Sequence, residues 1–359
     1  MIGKNQCTGC GVCAAVCGAQ AIFMRRDKEG FAYPLVDESR CTHCGLCDKK
    51  CHVNQEKKSG NKNDYFGAHA KKESVRLSGS SGGIFPLLAK QVIRDGGIVV
   101  GASLRPDGSV RHIAVAQERD LALITRTKYV QSEIACVLGE IRRFLKEKKT
   151  VLFCGTPCQT EAVRTYIGED RSRLFLVSLI CYGVPSPGVW KRYVRFMEKK
   201  HRGQFRSFLF RDKRGRDNGH TCVLQLKEKE YFCSLGDDLF CRTFFRNINI
   251  RPSCFQCRYC TVDRDSDMTI GDFWGIERVR PDWNDGMGNS AVICHTPAGK
   301  ELWDRVREET EWFSCREEGI ANDQQPRLKT PTQPSPLRGF YMRLYRLLPF
   351  SVWIRLFMK

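Results

Sequence analysis

The stretch Val151-Leu152-Phe153-Cys154-Gly155-Thr156-Pro157-Cys158-Gln159, followed after a helix-like segment (Thr160 to Ile167) by Leu174-Phe175-Leu176-Val177-Ser178-Leu179-Ile180-Cys181, decides the fold class. Two short, continuous apolar runs joined by a crossover helix read as parallel strands buried on both faces. The expectation is therefore an α/β body with a partly parallel sheet, α+β when the whole chain is counted. Each run delivers a cysteine just past its carboxyl end, Cys158 and Cys181, at the sheet edge where α/β proteins place ligands. From this pair alone two readings stand: half of a metal site, or two thiols packed as small hydrophobes.

Further along, Cys254-Phe255-Gln256-Cys257-Arg258-Tyr259-Cys260 precedes an apparent strand, Met268 to Gly275. A lone C-x2-C-x2-C needs a ligand from elsewhere, and its first two or all three cysteines could join Cys158 and Cys181; zinc is the alternative to iron and sulfide. Upstream, Ser78-Gly79-Ser80-Ser81-Gly82-Gly83 opens a helix, Ile84 to Arg94, with Pro86 in its tolerated first turn, and a strand at 97–102 follows. Bare amides at a helix start suit a pyrophosphate, although glycine loops also serve as plain turns. No G-x-G-x-x-G occurs, so a Rossmann nicotinamide site is not indicated. Arg126-Thr127-Lys128-Tyr129-Val130-Gln131-Ser132 leads into an amphipathic helix with Ile134, Val137, Leu138, Ile141 and Leu145 on one face, and Ser132 is its expected N-cap. Cys136, Cys222, Cys233, Cys294 and Cys315 lack motif context and read as packing residues; Cys154 and Cys241 stay open.

The N-terminus holds an internal repeat. Cys7-x2-Cys10-x2-Cys13-x3-Cys17 recurs as Cys41-x2-Cys44-x2-Cys47-x3-Cys51. Three cysteines at two-residue intervals wrap one iron–sulfur cubane, and the fourth ligates the other. The assignment is crossed: Cys7, Cys10, Cys13 and Cys51 for cluster I; Cys41, Cys44, Cys47 and Cys17 for cluster II. Gly9, Gly11 and Gly45 let backbone amides approach the sulfides. The segment resembles a bacterial two-[4Fe-4S] ferredoxin module, except that Gly18 and His52 stand where proline commonly follows the fourth cysteine. Paired zinc knuckles are the alternative, but they close with local ligands.

The chain has 359 residues, 42% hydrophobic and 28% charged, enough for two or three domains and unlike a disordered chain. Its 20 cysteines, without an apolar signal core before Cys7, point to metal thiolates in a reduced, cytoplasmic protein rather than to a disulfide scaffold. The longest apolar stretch, 174–184, is too short to span a bilayer. The formal charge of +19 treats every cysteine as neutral. Three clusters near −2 each leave about +13, which suits an acidic donor or anionic substrate as well as nucleic acid. From Leu337 onward the tail is basic and aromatic, as in a helix that docks on a membrane surface or a partner; packing on its own domain is the other reading.

Together, Ser80-Ser81-Gly82-Gly83, Lys128-Tyr129-Val130-Gln131-Ser132, Gly155-Thr156-Pro157-Cys158-Gln159, Cys181-Tyr182-Gly183-Val184-Pro185, Cys254-x2-Cys257 and Asp267-x-Thr269-Ile270-Gly271-Asp272-Phe273-Trp274-Gly275 resemble the beta subunit of coenzyme F-420 (deazaflavin) hydrogenase/dehydrogenase. The resemblance implies FAD held by Ser80, Ser81, Gly82, Gly83, Lys128, Tyr129, Gln131, Ser132, Thr156 and Pro157. It also implies a third [4Fe-4S] cluster on Cys158, Cys181, Cys254 and Cys257, with Cys260 a substitute. Tyr182 stands where bacterial members usually carry histidine. The expected domains are a ferredoxin module (1–53), a linker (54–64), an FAD-binding part (65–149), a part with the third cluster and FAD or substrate (150–325) and a basic tail (326–359). The expected function is an iron–sulfur flavoprotein oxidoreductase between a ferredoxin-type carrier and a small anionic acceptor (a deazaflavin, pigment or sugar derivative), with Lys128, Arg211 and Lys213 near the anion. Arg211 and Lys213 otherwise read as a solvated loop. The competing readings are a non-catalytic electron-transfer subunit and, weakly, a nucleic-acid-binding iron–sulfur protein; no nucleic-acid partner is expected.

Overall fold

The computed structural model describes residues 1–56 and 62–357, so part of the expected 54–64 linker and the last two tail residues lie outside the described residues. An N-terminal hairpin pairs β1 (Ile22–Arg26) with β2 (Ala32–Val36). The body contains β3 (Asp64–Ala70), β4 (Ile98–Leu104), β5 (Val110–Val115), β6 (Val151–Gly155) and β7 (Leu174–Leu179). Next come β8 (Phe205–Asp212), β9 (Thr221–Leu226) and β10 (Lys229–Ser234), then β11 (Met268–Asp272), β12 (Ser290–Cys294) and β13 (Thr310–Cys315). Eight strands form one mixed sheet in the order β13-β3-β12-β11-β7-β6-β4-β5. Its centre, β4–β6–β7–β11, is parallel, and antiparallel strands flank it on both sides. The expected α/β body with a partly parallel sheet is what the chain forms.

Alternation along the central strands feeds two cores. Leu152 and Cys154 pack with the helix Ile84–Arg94 and with Leu302 and Trp303 of the helix Pro297–Asp304. Val151 and Phe153 face the opposite side, with the helices Ala135–Lys146 and Pro157–Ile167. A sheet covered on both faces needs apolar residues at every position, which is why these strands read as unbroken runs.

Several element ends differ from the sequence reading. The crossover helix starts at Pro157 rather than Thr160, because Gln159 Oε1 accepts the Thr156 N–H at 3.0 Å and closes the first turn early. The strand expected through Gly275 ends at Asp272, and Gly275, at φ +86, turns the chain into a short 3-10 helix. Ser132 is not an N-cap. The helix begins at Ala135 with Ile134 in the capping position, and both oxygens of Ser132 accept the Gln159 amide at 3.0 Å.

The β8–β9–β10 sheet has its own core with the helix Pro187–His201 and the tail. The tail helices Arg338–Leu347 and Phe350–Arg355 bury Met342, Tyr345, Phe350, Trp353 and Ile354 there, so one face packs on its own domain, while Phe340, Leu347, Val352 and Leu356 stay exposed. No helix among the described residues is long and apolar enough to cross a membrane.

The N-terminal module sits firmly on the body. Val12 is 1% exposed inside the core beneath β6. At the hairpin turn, Glu29 accepts from Arg338 at 2.6 Å and Arg346 at 3.1 Å, and Ser186 Oγ donates to its carbonyl. Turn and body touch so closely that a Cβ at Gly30 would stand 2.4 Å from the Gly188 nitrogen.

Phe153 is fully buried and stacked on His112 at 5.0 Å. Phe153→Ala is expected to lower the urea midpoint by an amount worth about 3–5 kcal/mol, with the slope unchanged. A midpoint shift under about 1 kcal/mol would show that β6 is not at the centre of the core.

Candidate functional site

Left-handed glycines at Gly9 (φ +72) and Gly11 (φ +78) wrap the first cysteine loop. At Gly9 a side chain is excluded outright: a Cβ would stand 2.7 Å from Arg251 Nη1 and 2.8 Å from the Ala32 carbonyl. Burial pushes the Cys10 thiol up to about 11, and Cys7 and Cys51 add to the rise. Burial likewise takes Cys13 to about 12, with Cys10, Cys7 and Cys51 contributing. Cys51, from the second repeat, stands within electrostatic reach of the first three cysteines. The second loop lies at the surface. Cys44 is exposed and drawn down by the Leu46 amide, Cys47 is raised by burial and Asp48, and Cys17 Sγ accepts the Ala21 amide at 3.3 Å.

Past the carboxyl ends of β6 and β7, four more cysteines converge. Burial raises Cys158, and the charges of Cys257, Cys181 and Cys10 raise it further. Burial takes Cys181 to about 12, reinforced by Cys254 and Cys257, and takes Cys254 to about 12, reinforced by Cys257 and Cys158. Cys260 stands beside them, its thiol raised by a hydrogen bond with Cys257 and by burial. Thiols pushed up in this way are protonated at neutral pH without a metal, so a cationic centre would have to displace those protons. Among the described residues, Glu38, Cys41 and His43 are the one group of three or more histidine, cysteine or carboxylate ligands lying mutually within 4.8 Å.

Three side chains that the sequence did not mark as functional brace the cysteine sets, and two of them, His52 and Arg251, tie the sets together. His52, 2% exposed, shares one ring nitrogen with Thr8 Oγ1 at 2.9 Å and the other with the Tyr259 hydroxyl, so it joins the first loop to the Cys257–Cys260 turn. Burial holds its pKa near 3, hence it is neutral. Arg251, 1% exposed, donates to the Cys7 carbonyl at 2.8 Å. Arg264 donates to Leu179 O at 2.9 Å beside Cys181, Cys257 and Cys260. Only His52 left any trace in the sequence, as the residue in proline's usual place.

The serine–glycine loop sits at the same sheet edge. Ser80 Oγ accepts the Thr127 amide at 2.6 Å, and Ser81 Oγ donates to Asn289 O at 2.7 Å. Gly82 lies so close to β3 that a Cβ would meet Ala68 O at 2.4 Å, and Gly83 (φ +84) starts the helix Ile84–Arg94 without a side-chain cap. Beside the loop stand Lys213, which is buried, and Lys128, which is half-buried. Lys213 donates to the Arg76 and Ser81 carbonyls, and Lys128 to Thr125 O at 2.6 Å and Arg126 O at 3.0 Å. Burial draws both ammonium groups down to about 7, with nearby arginines adding to the effect. Among the described residues neither has a carboxylate at ion-pair distance, whereas Arg211 pairs with Asp272 and Arg76 with Asp285. Arg211 and Lys213 are therefore buried, not a solvated loop. A site that already carries unneutralised cations fits a bound anion. Tyr129 faces Phe210, Phe244 and Phe245 at 5.2–5.8 Å. The Gln131 side chain is committed to Thr8 O (2.9 Å) and Arg251, and Thr156 Oγ1 contacts Cys158 Sγ at 3.2 Å ahead of Pro157. Tyr182 donates to Asn247 at 2.8 Å.

Of the remaining cysteines, Cys154, Cys222, Cys241 and Cys294 are buried, whereas Cys136 is exposed and does not pack as expected, its thiol pointing at the His112 and Glu133 carbonyls.

Residues 6–55 match the family model described as "4Fe-4S dicluster domain". Residues 148–314 match the family model for the C-terminal part of the coenzyme F420 hydrogenase/dehydrogenase beta subunit. A solved chain of the xenon-derivatised F420-reducing [NiFe] hydrogenase complex from Methanosarcina barkeri aligns with a TM-score of 0.48 and 17% identity, covering 81% of this chain and 88% of that one. A search of curated proteins finds no match. The chemistry is iron–sulfur electron transfer of the oxidoreductase type. Residues 148–314 are thus similar to the C-terminal part of the coenzyme F420 hydrogenase/dehydrogenase beta subunit, and residues 6–55 in front of them to a 4Fe-4S dicluster domain.

Proposed function

We propose that this chain is a cytoplasmic iron–sulfur flavoprotein that moves electrons between a ferredoxin-type carrier and a small anionic acceptor, with three [4Fe-4S] clusters and FAD. Cys7, Cys10, Cys13 and Cys51 hold cluster I; Cys17, Cys41, Cys44 and Cys47 hold cluster II; Cys158, Cys181, Cys254 and Cys257 hold cluster III. The observation that carries this reading is the pair of bridges between the N-terminal and body cysteine sets, His52 from Thr8 to Tyr259 and Arg251 to the Cys7 carbonyl. Bound there, the clusters supply one-electron storage and the flavin supplies the exchange between single electrons and hydride.

The protein's own part is to bind and to shield. Ser80, Ser81, Gly82 and Gly83 offer a helix N-terminus, and Lys128 with Lys213 offers positive charge to a pyrophosphate. Thr156 stands against Cys158 ahead of Pro157 and Tyr129 against Phe210, Phe244 and Phe245, whereas Gln131 and Ser132, their side chains engaged elsewhere, contribute through the backbone. The domains follow the divisions 1–53, 54–64, 65–149, 150–325 and 326–359. Deazaflavins, pigments and sugar derivatives remain the acceptor classes. A second reading, an electron-transfer subunit feeding a partner enzyme, draws support from Arg211 and Lys213, which bond to Asp272 and to the chain's own carbonyls. A flavin reduced by ferredoxin but oxidised by no small molecule would favour it.

Protein purified without oxygen is expected to carry about twelve iron and twelve sulfide per chain with one FAD, and Cys158→Ser is expected to hold about eight iron. Equal iron in the variant and the wild type, or no flavin in either, would defeat the proposal.

The lysines give a pH test with a definite sign. Both are charged below about 7 and neutral above it in the free protein. An anion favours the charged forms, so its binding takes up protons and its affinity falls as pH rises through 7. Titrating deflavinated protein with FAD from pH 6 to 9 should show affinity dropping at least tenfold. A flat profile would remove these lysines from the anion site.

A further inference from the structure

Arg251 is a fully buried cation whose acceptors are all uncharged in the polypeptide. Its Nε donates to Cys7 O at 2.8 Å, Nη1 to Gln131 Oε1 at 3.0 Å, and Nη2 to Ala32 O at 2.9 Å and to Cys7 Sγ at 3.9 Å. Tyr33 and Phe31 face the guanidinium at 4.4 and 5.3 Å. Among the described residues no carboxylate lies at ion-pair distance from it. Its main chain belongs to the other cysteine set: the Cys254 amide donates to the Arg251 carbonyl at 3.0 Å. Its charge is felt there too, easing the Cys254 thiol downward against the effects of burial. The chain makes room for this side chain, since Gly9 has no Cβ to occupy the space.

Neutral hydrogen-bond partners satisfy the donors of a buried guanidinium but leave its charge uncompensated. A permanent negative charge must stand close by, and the two groups it touches or adjoins, Cys7 and Cys254, are ligands of different centres. We propose that Arg251 is a positioning residue that serves as a counter-cation shared by clusters I and III. The inference rests on the three-cluster reading above. A fixed positive charge favours the more negative, reduced form of each centre, so it raises the reduction potentials of I and III together. Cluster II, at the surface and without this contact, is not raised. Were the clusters bound at these positions, the arginine's charge would favour passage of one electron from an external one-electron carrier through the surface centre to an inner one, with no bond formed and no proton moved.

The test is a potentiometric titration of the full-length, cluster-loaded protein followed by electron paramagnetic resonance, comparing wild type, Arg251→Gln and Arg251→Lys. Arg251→Gln should lower the midpoints of clusters I and III by at least a tenfold change in equilibrium constant, 59 mV for a one-electron couple, and leave cluster II in place. Arg251→Lys, which keeps the charge, should move them less than threefold. Unchanged midpoints in an iron-replete Arg251→Gln protein, or equal shifts in both variants, would overturn the proposal. Should Arg251→Gln fail to load, wild-type protein with 15N-arginine supplies the readout. Pulsed resonance on reduced cluster I should detect a 15N coupling, and its absence would refute the contact. A wild-type protein holding about eight iron would instead defeat the three-cluster reading, and the cluster I shift would still decide whether Arg251 acts there.

Discussion

The parallel pairing of β4, β6, β7 and β11 is the constraint on which the rest of this structure depends. Parallel strands end on the same edge, so the turns after Gly155 and Leu179 deliver Cys158 and Cys181 to one place. Were β6 and β7 antiparallel, the two thiols would lie at opposite ends of a five-residue strand, roughly 17 Å apart. The same edge receives the serine–glycine loop through Ser81 and Asn289. A crossover helix is needed between parallel strands, and here its first turn, closed by Gln159 on Thr156, also fixes the approach of Cys158.

Charge is distributed in this protein more by burial than by surface display. Arg76, Arg211, Lys213, Arg251 and Arg264 are each at most 5% exposed, and they lie beside the glycine loop or the cysteine sets. Part of the formal +19 is therefore internal, facing positions where thiolates or a phosphate would add negative charge. This weakens a nucleic-acid reading in physical terms, because phosphate-backbone binding depends on cations displayed to solvent. Buried cations are costly without anions and buried thiols resist ionising, and placing the two together relieves both costs.

What was legible in the sequence was local. The apolar runs at 151–155 and 174–179, the helix from Ile84 and the duplicated cysteine spacing each carry their signal within a dozen residues, and each appears in the structure. Residues whose role depends on distant partners could not be read. Arg251 meets Cys7 across 244 positions and His52 meets Tyr259 across 207, and no periodicity or motif marks either pair. Ser132 had the right chemistry for a cap, yet the Gln159 amide claims both its oxygens, so a tertiary contact outweighed a local preference. The tail's composition suited two environments equally, and the structure packs one of its faces into the core under β8–β9–β10 while leaving Phe340 and Leu347 exposed.

The tail's basic residues act on a carboxylate within the chain. Arg338 and Arg346 close on Glu29, at the tip of the N-terminal hairpin, where the Glu29 side chain is 9% exposed. Glu29 and Arg338 are largely buried and Arg346 is partly exposed, so removing Arg338 leaves the carboxylate with only a solvent-screened partner. The consequence reaches the cysteines: Glu29 and Val12 are anchored at two separate points, which fixes the orientation of the whole module and with it the approach of Cys10 to Cys158. A tethered but mobile module would raise the effective concentration of one cysteine set near the other and still require an encounter for each event. A module held by the Glu29 ion cluster and a shared core removes that encounter, and the C-terminal residues supply half of the hold.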